Sequence, residues 1–206
     1  MLNKPNFMNI AQFIKKTKEP GFTLVEVLVV VAILSTISAL TLSFVVTGFK
    51  ATRFEAEQAE AIAQARNAMS IMKKEIRGAN SSEQGSYALD TIEEQEFVFY
   101  ADIDADDLYE KVRYYLDDLD LIKEVTEPGA LNDYSGAPAS TTMAQFVNNQ
   151  EENIFTFYNS NYNIASTTNE VRLININLKI NVTPETAPKD VYVESDVTLR
   201  NLKSNL

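Results

Sequence analysis

The sequence predicts an α+β chain: one long N-terminal helix, apolar in its first half and amphipathic in its second, packed on a C-terminal antiparallel β-sheet. Three observations carry that prediction. From Val27 to Val46 twenty residues carry no charge. At about 1.5 Å per helical residue they cover roughly 30 Å, the hydrocarbon thickness of a bilayer. Further on, Ile62, Ala65, Met69, Met72 and Ile76 recur at spacings of three and four, one apolar stripe on a helix. Near the end, Ile174, Ile176, Leu178, Ile180 and Val182 alternate with Asn175, Asn177, Lys179 and Asn181, the period of a strand buried on one face and wet on the other.

In chain order, residues 1–21 carry Lys4, Lys15, Lys16 and Lys18 against Glu19, a net charge of +3, which leaves -14 for the remainder of a chain whose total is -11. A basic lead-in before an apolar span orients it with residues 1–21 in the cytoplasm and the acidic body outside. Pro20-Gly21 breaks the chain before the span. The run that follows is rich in β-branched residues, but a lone segment in lipid must satisfy its backbone internally and is therefore helical. A secretory signal would be shorter and end at small residues. Ala39 and Ser43 are small enough, but the charge-free run continues past them.

Phe22 to about Gly78 reads as one helix, about 85 Å long by its rise per residue. No Pro interrupts it, and residues 51–66 are rich in the helix formers Ala, Glu, Gln and Arg. Gly48 lies between its halves, as a tolerated Gly or a bend. Gly78-Ala-Asn-Ser-Ser is a stop, and residues 79–94 read as a loop. Phe97–Tyr100 is a short strand. Val112, Tyr114 and Leu116, an Asp117-Asp118 turn and Leu119–Val125 form a hairpin. Residues 127–142 read as loop, and Ile154–Tyr158 as a strand. The stretch from Pro184 to Pro188 is a turn. Val191, Val193, Val197 and Leu199 mark a final strand.

Composition excludes much chemistry. With no Cys and no His there is no disulfide framework, no thiolate, no Cys/His zinc site and no His-based triad. An acidic body argues against nucleic acid as a partner. There is no nucleophile elbow, phosphate loop or dinucleotide fingerprint, so the chain reads as a non-enzyme without a cofactor. Asp102, Asp104, Asp106 and Asp107 form a carboxylate cluster. An EF-hand counted from Asp102 needs Gly at its sixth position and Glu at its twelfth, where this chain has Asp107 and Arg113. The cluster therefore reads as a solvated acidic loop and not as a metal site. The aromatic residues, Phe97, Phe99, Tyr114, Phe155 and Phe157 among them, lie at strand spacing and read as core.

One residue fits none of this. Glu26 is an acid at the start of an apolar span, where it costs a few kcal/mol unless it snorkels to the interface, and such residues tend to mark function. Its surroundings, Gly21-Phe22-Thr23-Leu24-Val25-Glu26, resemble the processing site of type IV prepilins and type II secretion pseudopilins. The resemblance implies a pilin fold with residues 1–21 as a cleaved leader, 22–47 as a transmembrane and filament-core helix, 48–78 as its amphipathic continuation, and 79–206 as a β-rich extracytoplasmic head. It implies that a prepilin peptidase cuts between Gly21 and Phe22 and that Phe22 is N-methylated. It further implies that Glu26, the fifth mature residue, sets register between subunits.

A free Phe22 amine has a reference pKa of about 8 and is positive at neutral pH. In a low dielectric it and the Glu26 carboxylate of a neighbour are each costly alone and tolerable together, which makes the pair a register device. The implied partners are the peptidase, other pilin or pseudopilin subunits, the assembly platform and, before assembly, inner-membrane lipid. Lack of Cys sets the chain apart from major pilins closed by a C-terminal disulfide. Val197–Leu202 resembles the C-termini of some minor pilins, and Val112–Asp117 a strand of the larger minor pilins and pseudopilins. The resemblance thus favours a minor pilin or pseudopilin. The competing readings are an unprocessed bitopic membrane protein with an extracytoplasmic binding domain and, less favoured still, a membrane-tethered enzyme.

Overall fold

The computed structural model describes residues 21–131, 133–182 and 190–199. The leader before Gly21, the turn from Pro184 to Pro188 and the chain from Arg200 onward lie outside the described residues. Helix α1 runs Leu24–Arg77. Among the described residues eight strands follow: β1 Leu89–Ile92, β2 Glu96–Ala101, β3 Glu110–Asp117, β4 Asp120–Thr126, β5 Ala139–Ala144, β6 Phe155–Tyr158, β7 Leu173–Ile180 and β8 Val191–Thr198. The chain forms two compact units, one up to Lys50 and one from Ala51 onward.

In the first unit every described residue is exposed, and the helix is unbroken through Gly48. It is long and apolar enough to cross a membrane. Four of its hydroxyls are satisfied within the helix. Ser35 and Thr36 both donate to the Ala32 carbonyl at 2.9 Å, Thr41 to that of Ile37 at 2.8 Å, and Thr47 to that of Ser43 at 2.9 Å. Lipid offers no other partner, so these back-bonds spare those four hydroxyls from being orphaned in the span.

In the second unit the end of α1 lies on antiparallel sheets, the α+β arrangement predicted. The sheet is not single. Strands β1-β2-β3-β4-β5 form a five-stranded meander, and β6-β7-β8 a separate three-stranded one. Two strands fall where loops were expected. β1 lies inside 79–94; its register slips between Leu89 and Thr91, which breaks the alternation that would have revealed it. β5 lies at the end of 127–142. It is the edge strand beside β4, and Ala139 to Thr142 are exposed, so the residues have no inward face to pattern. The hairpin turn sits at Asp118-Leu119, one residue later than read. Asp118 has φ 53°, a left-handed conformation that Asp tolerates better than most residues.

One core joins the helix to both sheets. Ala61, Ala65, Ala68, Met69, Met72 and Ile76 are buried on α1, while Ile62 is only partly so. The contact stripe is therefore displaced toward the alanines, whose short side chains let the helix backbone approach the strands. Phe97 occupies the centre of the aromatic packing, with ring centroids 5.0 Å from Phe99, 5.6 Å from Phe155 and 5.2 Å from Phe157. It thus bridges the two sheets at the separations aromatic pairs prefer.

The segment after β5, which carried no signal in the sequence, fastens β7. Asn149 is fully buried. Its Nδ2 donates to the Asn177 carbonyl at 3.0 Å, and its Oδ1 accepts from the Lys179 amide at 2.7 Å. Gln95, between β1 and β2, donates to the carbonyls of Asn149 and Glu152 at 2.7 and 2.8 Å. The polar face of β7 is consequently half-buried instead of open to water.

Candidate functional site

The residues singled out by the sequence lie together at the start of α1. Gly21, Phe22 and Thr23 precede the helix, which begins at Leu24, two residues later than expected. Thr23 is the reason. Its Oγ1 accepts the Glu26 amide at 3.2 Å, and its carbonyl accepts the Val27 amide at 3.2 Å. That is an N-cap: a hydroxyl takes one of the orphan amides of the first turn. Thr23-Leu24-Val25-Glu26 has the spacing of a capping box, a signal present in the sequence that the pilin-like reading passed over. Glu26 therefore lies in the first helical turn, where the amide ends of the helix favour a negative charge.

Around this acid the surface is apolar. Phe22 is 81 % exposed and Leu24 78 %. A shallow groove is lined by Phe22, Leu24, Val27, Leu28, Val31 and Ala32. A Cβ added at Gly21 would meet nothing within 4 Å. Within the described chain, then, no packing demands glycine there.

The other cluster that the sequence flagged is also assembled. Asp102, Asp104 and Asp106 bring carboxylate oxygens within 4.8 Å of one another, without Asp107. Asp102 accepts the amides of Ala105 at 2.7 Å and Asp107 at 3.3 Å, and Asp106 accepts that of Leu108 at 2.8 Å. A residue the sequence reading did not connect with the cluster, Glu110 at the start of β3, is fully buried beneath the same loop and accepts the Ile103 amide at 2.8 Å. Its position eight residues after Asp102, on the inward phase of β3, was the available signal.

Residues 16–42 match a family model described as the prokaryotic N-terminal methylation motif. No curated protein matches the chain. The matched stretch holds Gly21, Phe22, the Thr23 cap, Glu26 and most of the apolar run that follows. Through residues 16–42 the chain carries the prepilin-type methylation motif of the type IV pilin and pseudopilin family.

Proposed function

We propose that this chain is a structural subunit of a type IV pilus-like filament, a minor pilin or pseudopilin. It is cut after Gly21 by a prepilin peptidase, N-methylated on Phe22, and held in the inner membrane through 22–47 with its head outside. It is then passed by the assembly platform into a filament. The observation that carries this reading is the methylation motif at the junction with a helix able to span a bilayer. In the assembled state the Phe22 amine of one subunit pairs with Glu26 of the next and fixes their stagger. What supports this pairing is that the acid lies in the first turn of the helix and is exposed.

The test is the intact mass of the chain after co-expression with a prepilin peptidase. The expected product lacks residues 1–21 and carries one added methyl group. Gly21→Val, which meets no steric obstacle in the fold, should leave the full-length precursor. A full-length mass for the unsubstituted chain would support the unprocessed bitopic reading instead, and a mature mass for Gly21→Val would rule out Gly21 as a requirement of the cut.

A further inference from the structure

Two acceptors compete for the Glu26 amide. In a regular helix it would bond the Phe22 carbonyl, four residues back. Here it bonds Thr23 Oγ1 at 3.2 Å, and the first regular bond comes one residue later, from the Val27 amide to the Thr23 carbonyl at 3.2 Å. The hydroxyl takes the place of the Phe22 carbonyl, and the helix begins only at Leu24. Gly21, Phe22 and Thr23 are left outside it, all exposed. Among the described residues neither the Phe22 amide nor the Gly21 and Phe22 carbonyls enter a hydrogen bond. The Gly21–Phe22 peptide is therefore free on both edges.

The sequence upstream offers little else to stop the helix. Pro, here Pro20, is well tolerated at a first helical position, where its missing amide is no loss. Phe22 is an ordinary helix residue, and Gly21 alone of the two residues at the bond disfavours helix, through its backbone entropy. Without the Thr23 hydroxyl, the Glu26 amide has the Phe22 carbonyl as its next acceptor. The Val25 amide, one step further back, then has the Gly21 carbonyl. An uncapped helix thus grows toward the leader and engages the very carbonyl at the junction.

We propose that Thr23 is a positioning residue for cleavage of the Gly21–Phe22 bond: its hydroxyl caps α1 and so holds that peptide in a non-helical form that a peptidase can bind. The inference rests on the cleavage reading given above and adds what presents the bond. An extended segment offers its amides and carbonyls to a binding partner, whereas a helix keeps them for itself. In the cut, water adds at the Gly21 carbonyl carbon and the C–N bond breaks. The products are a Gly21 carboxylate and a Phe22 amine that takes up a proton. The carbonyl attacked and the amide that leaves are the two groups the cap keeps free. A cap that served stability alone would alter the unfolding of the helix end and not the rate of this step.

The full-length chain in detergent is cut by a purified prepilin peptidase, and initial rates are read by intact mass for the unsubstituted chain, Thr23→Ala and Thr23→Ser. Thr23→Ala removes the hydroxyl and favours helix, while Thr23→Ser keeps the cap. Thr23→Ala should be cut about fivefold more slowly, the worth of one cap converted at about 1.4 kcal/mol per tenfold, and Thr23→Ser at the unsubstituted rate. Cutting is slowed and not abolished, so Thr23→Ala chains still mature given time. In parallel, the Cα chemical shifts of Gly21 and Phe22 should move toward helical values in Thr23→Ala and stay in place in Thr23→Ser. An unchanged rate for Thr23→Ala, or a Thr23→Ser chain as slow as Thr23→Ala, overturns the role of the hydroxyl and leaves the cleavage reading standing. An unsubstituted chain that is not cut at all removes the cleavage reading, and this inference with it.

Discussion

The Tyr114 hydroxyl donates to Glu75 Oε2 at 2.6 Å and so ties the last turns of α1 to the middle of β3. The other oxygen of Glu75 pairs with Lys123 Nζ on β4 at 2.6 Å, and both side chains of that pair are nearly buried. Tyr114 is fully buried. Burial first, and then the charge of Glu75, holds its proton far above the ordinary range, so it remains a donor at any working pH. One carboxylate thus satisfies a phenol and an ammonium at once. Glu75→Ala would leave both unpaired in the interior and should destabilise the fold by about 3 kcal/mol. Tyr114→Phe, which keeps the ion pair, should cost about 1 kcal/mol. Urea unfolding of the full chain in detergent, followed by circular dichroism, checks the ranking. Equal costs would show that the two contacts are not served by one anchor.

Glu110 gives the fold a pH dependence of unusual sign. Burial, with the charges of Glu127 and Asp104, pushes its carboxyl up to about 7 from an ordinary 4.5, against the opposing pull of the Ile103 amide. The folded chain therefore binds more protons than the unfolded one between those values, and its stability falls as pH rises from about 4.5 to 7. The contribution is fully present below 4.5 and gone above 7. Tm measured across this window should decline in the wild type more than in Glu110→Gln. Comparison with the variant isolates Glu110 from carboxyls such as Glu124 and Asp190, which are held low by hydrogen bonds and titrate with the opposite sign. Parallel profiles in the two proteins would refute the assignment.

Asn149 is a splice that no propensity would reveal. Replacing it by Ala strands the Lys179 amide and the Asn177 carbonyl, both on β7. With two buried backbone groups losing their partner, the cost should be about 2 kcal/mol. Hydrogen exchange locates the effect. The Lys179 amide should exchange faster, while amides in the β2–β3 ladder should not. Uniform acceleration would indicate a global loss of stability instead.

What the sequence disclosed follows from how each element is buried. β7 was legible because Ile174, Ile176, Leu178 and Ile180 are fully buried and alternate without a slip. The helix was legible because its apolar stripe keeps one period from Ala61 to Ile76. β1 and β5 were hidden by a bulge and by exposure at an edge, features that tertiary pairing decides and composition does not. The division into two sheets depends on Asn149, Gln95 and the carbonyl of Glu94, which accepts the amides of both Ile154 and Phe155. Those contacts span tens of residues and leave no local periodicity. At the candidate sites, Gly21, Phe22 and Glu26 were readable because a processing signal is linear. Glu110 offered only its inward phase on β3 as a signal, because its contact with the Ile103 amide exists only once the strand and the loop are folded.

The role of Glu26 is separable from the capping of the helix. The hydrogen bond to Thr23 uses the Glu26 backbone amide, not its carboxylate. Glu26→Leu therefore keeps the cap, adds apolar surface to the span and should insert into the membrane as well as the wild type. It removes the partner proposed for the Phe22 amine of the neighbouring subunit. Every 1.4 kcal/mol lost from that pairing lowers incorporation about tenfold. The expected phenotype is a processed protein that accumulates in the membrane fraction and is depleted at least about tenfold from sheared filaments. Thr23→Val provides the contrast. It deletes the capping hydroxyl, leaves the acid in place and should lower helix stability by about 1 kcal/mol at that end while sparing incorporation. Normal filament content of Glu26→Leu would exclude the carboxylate as the register device.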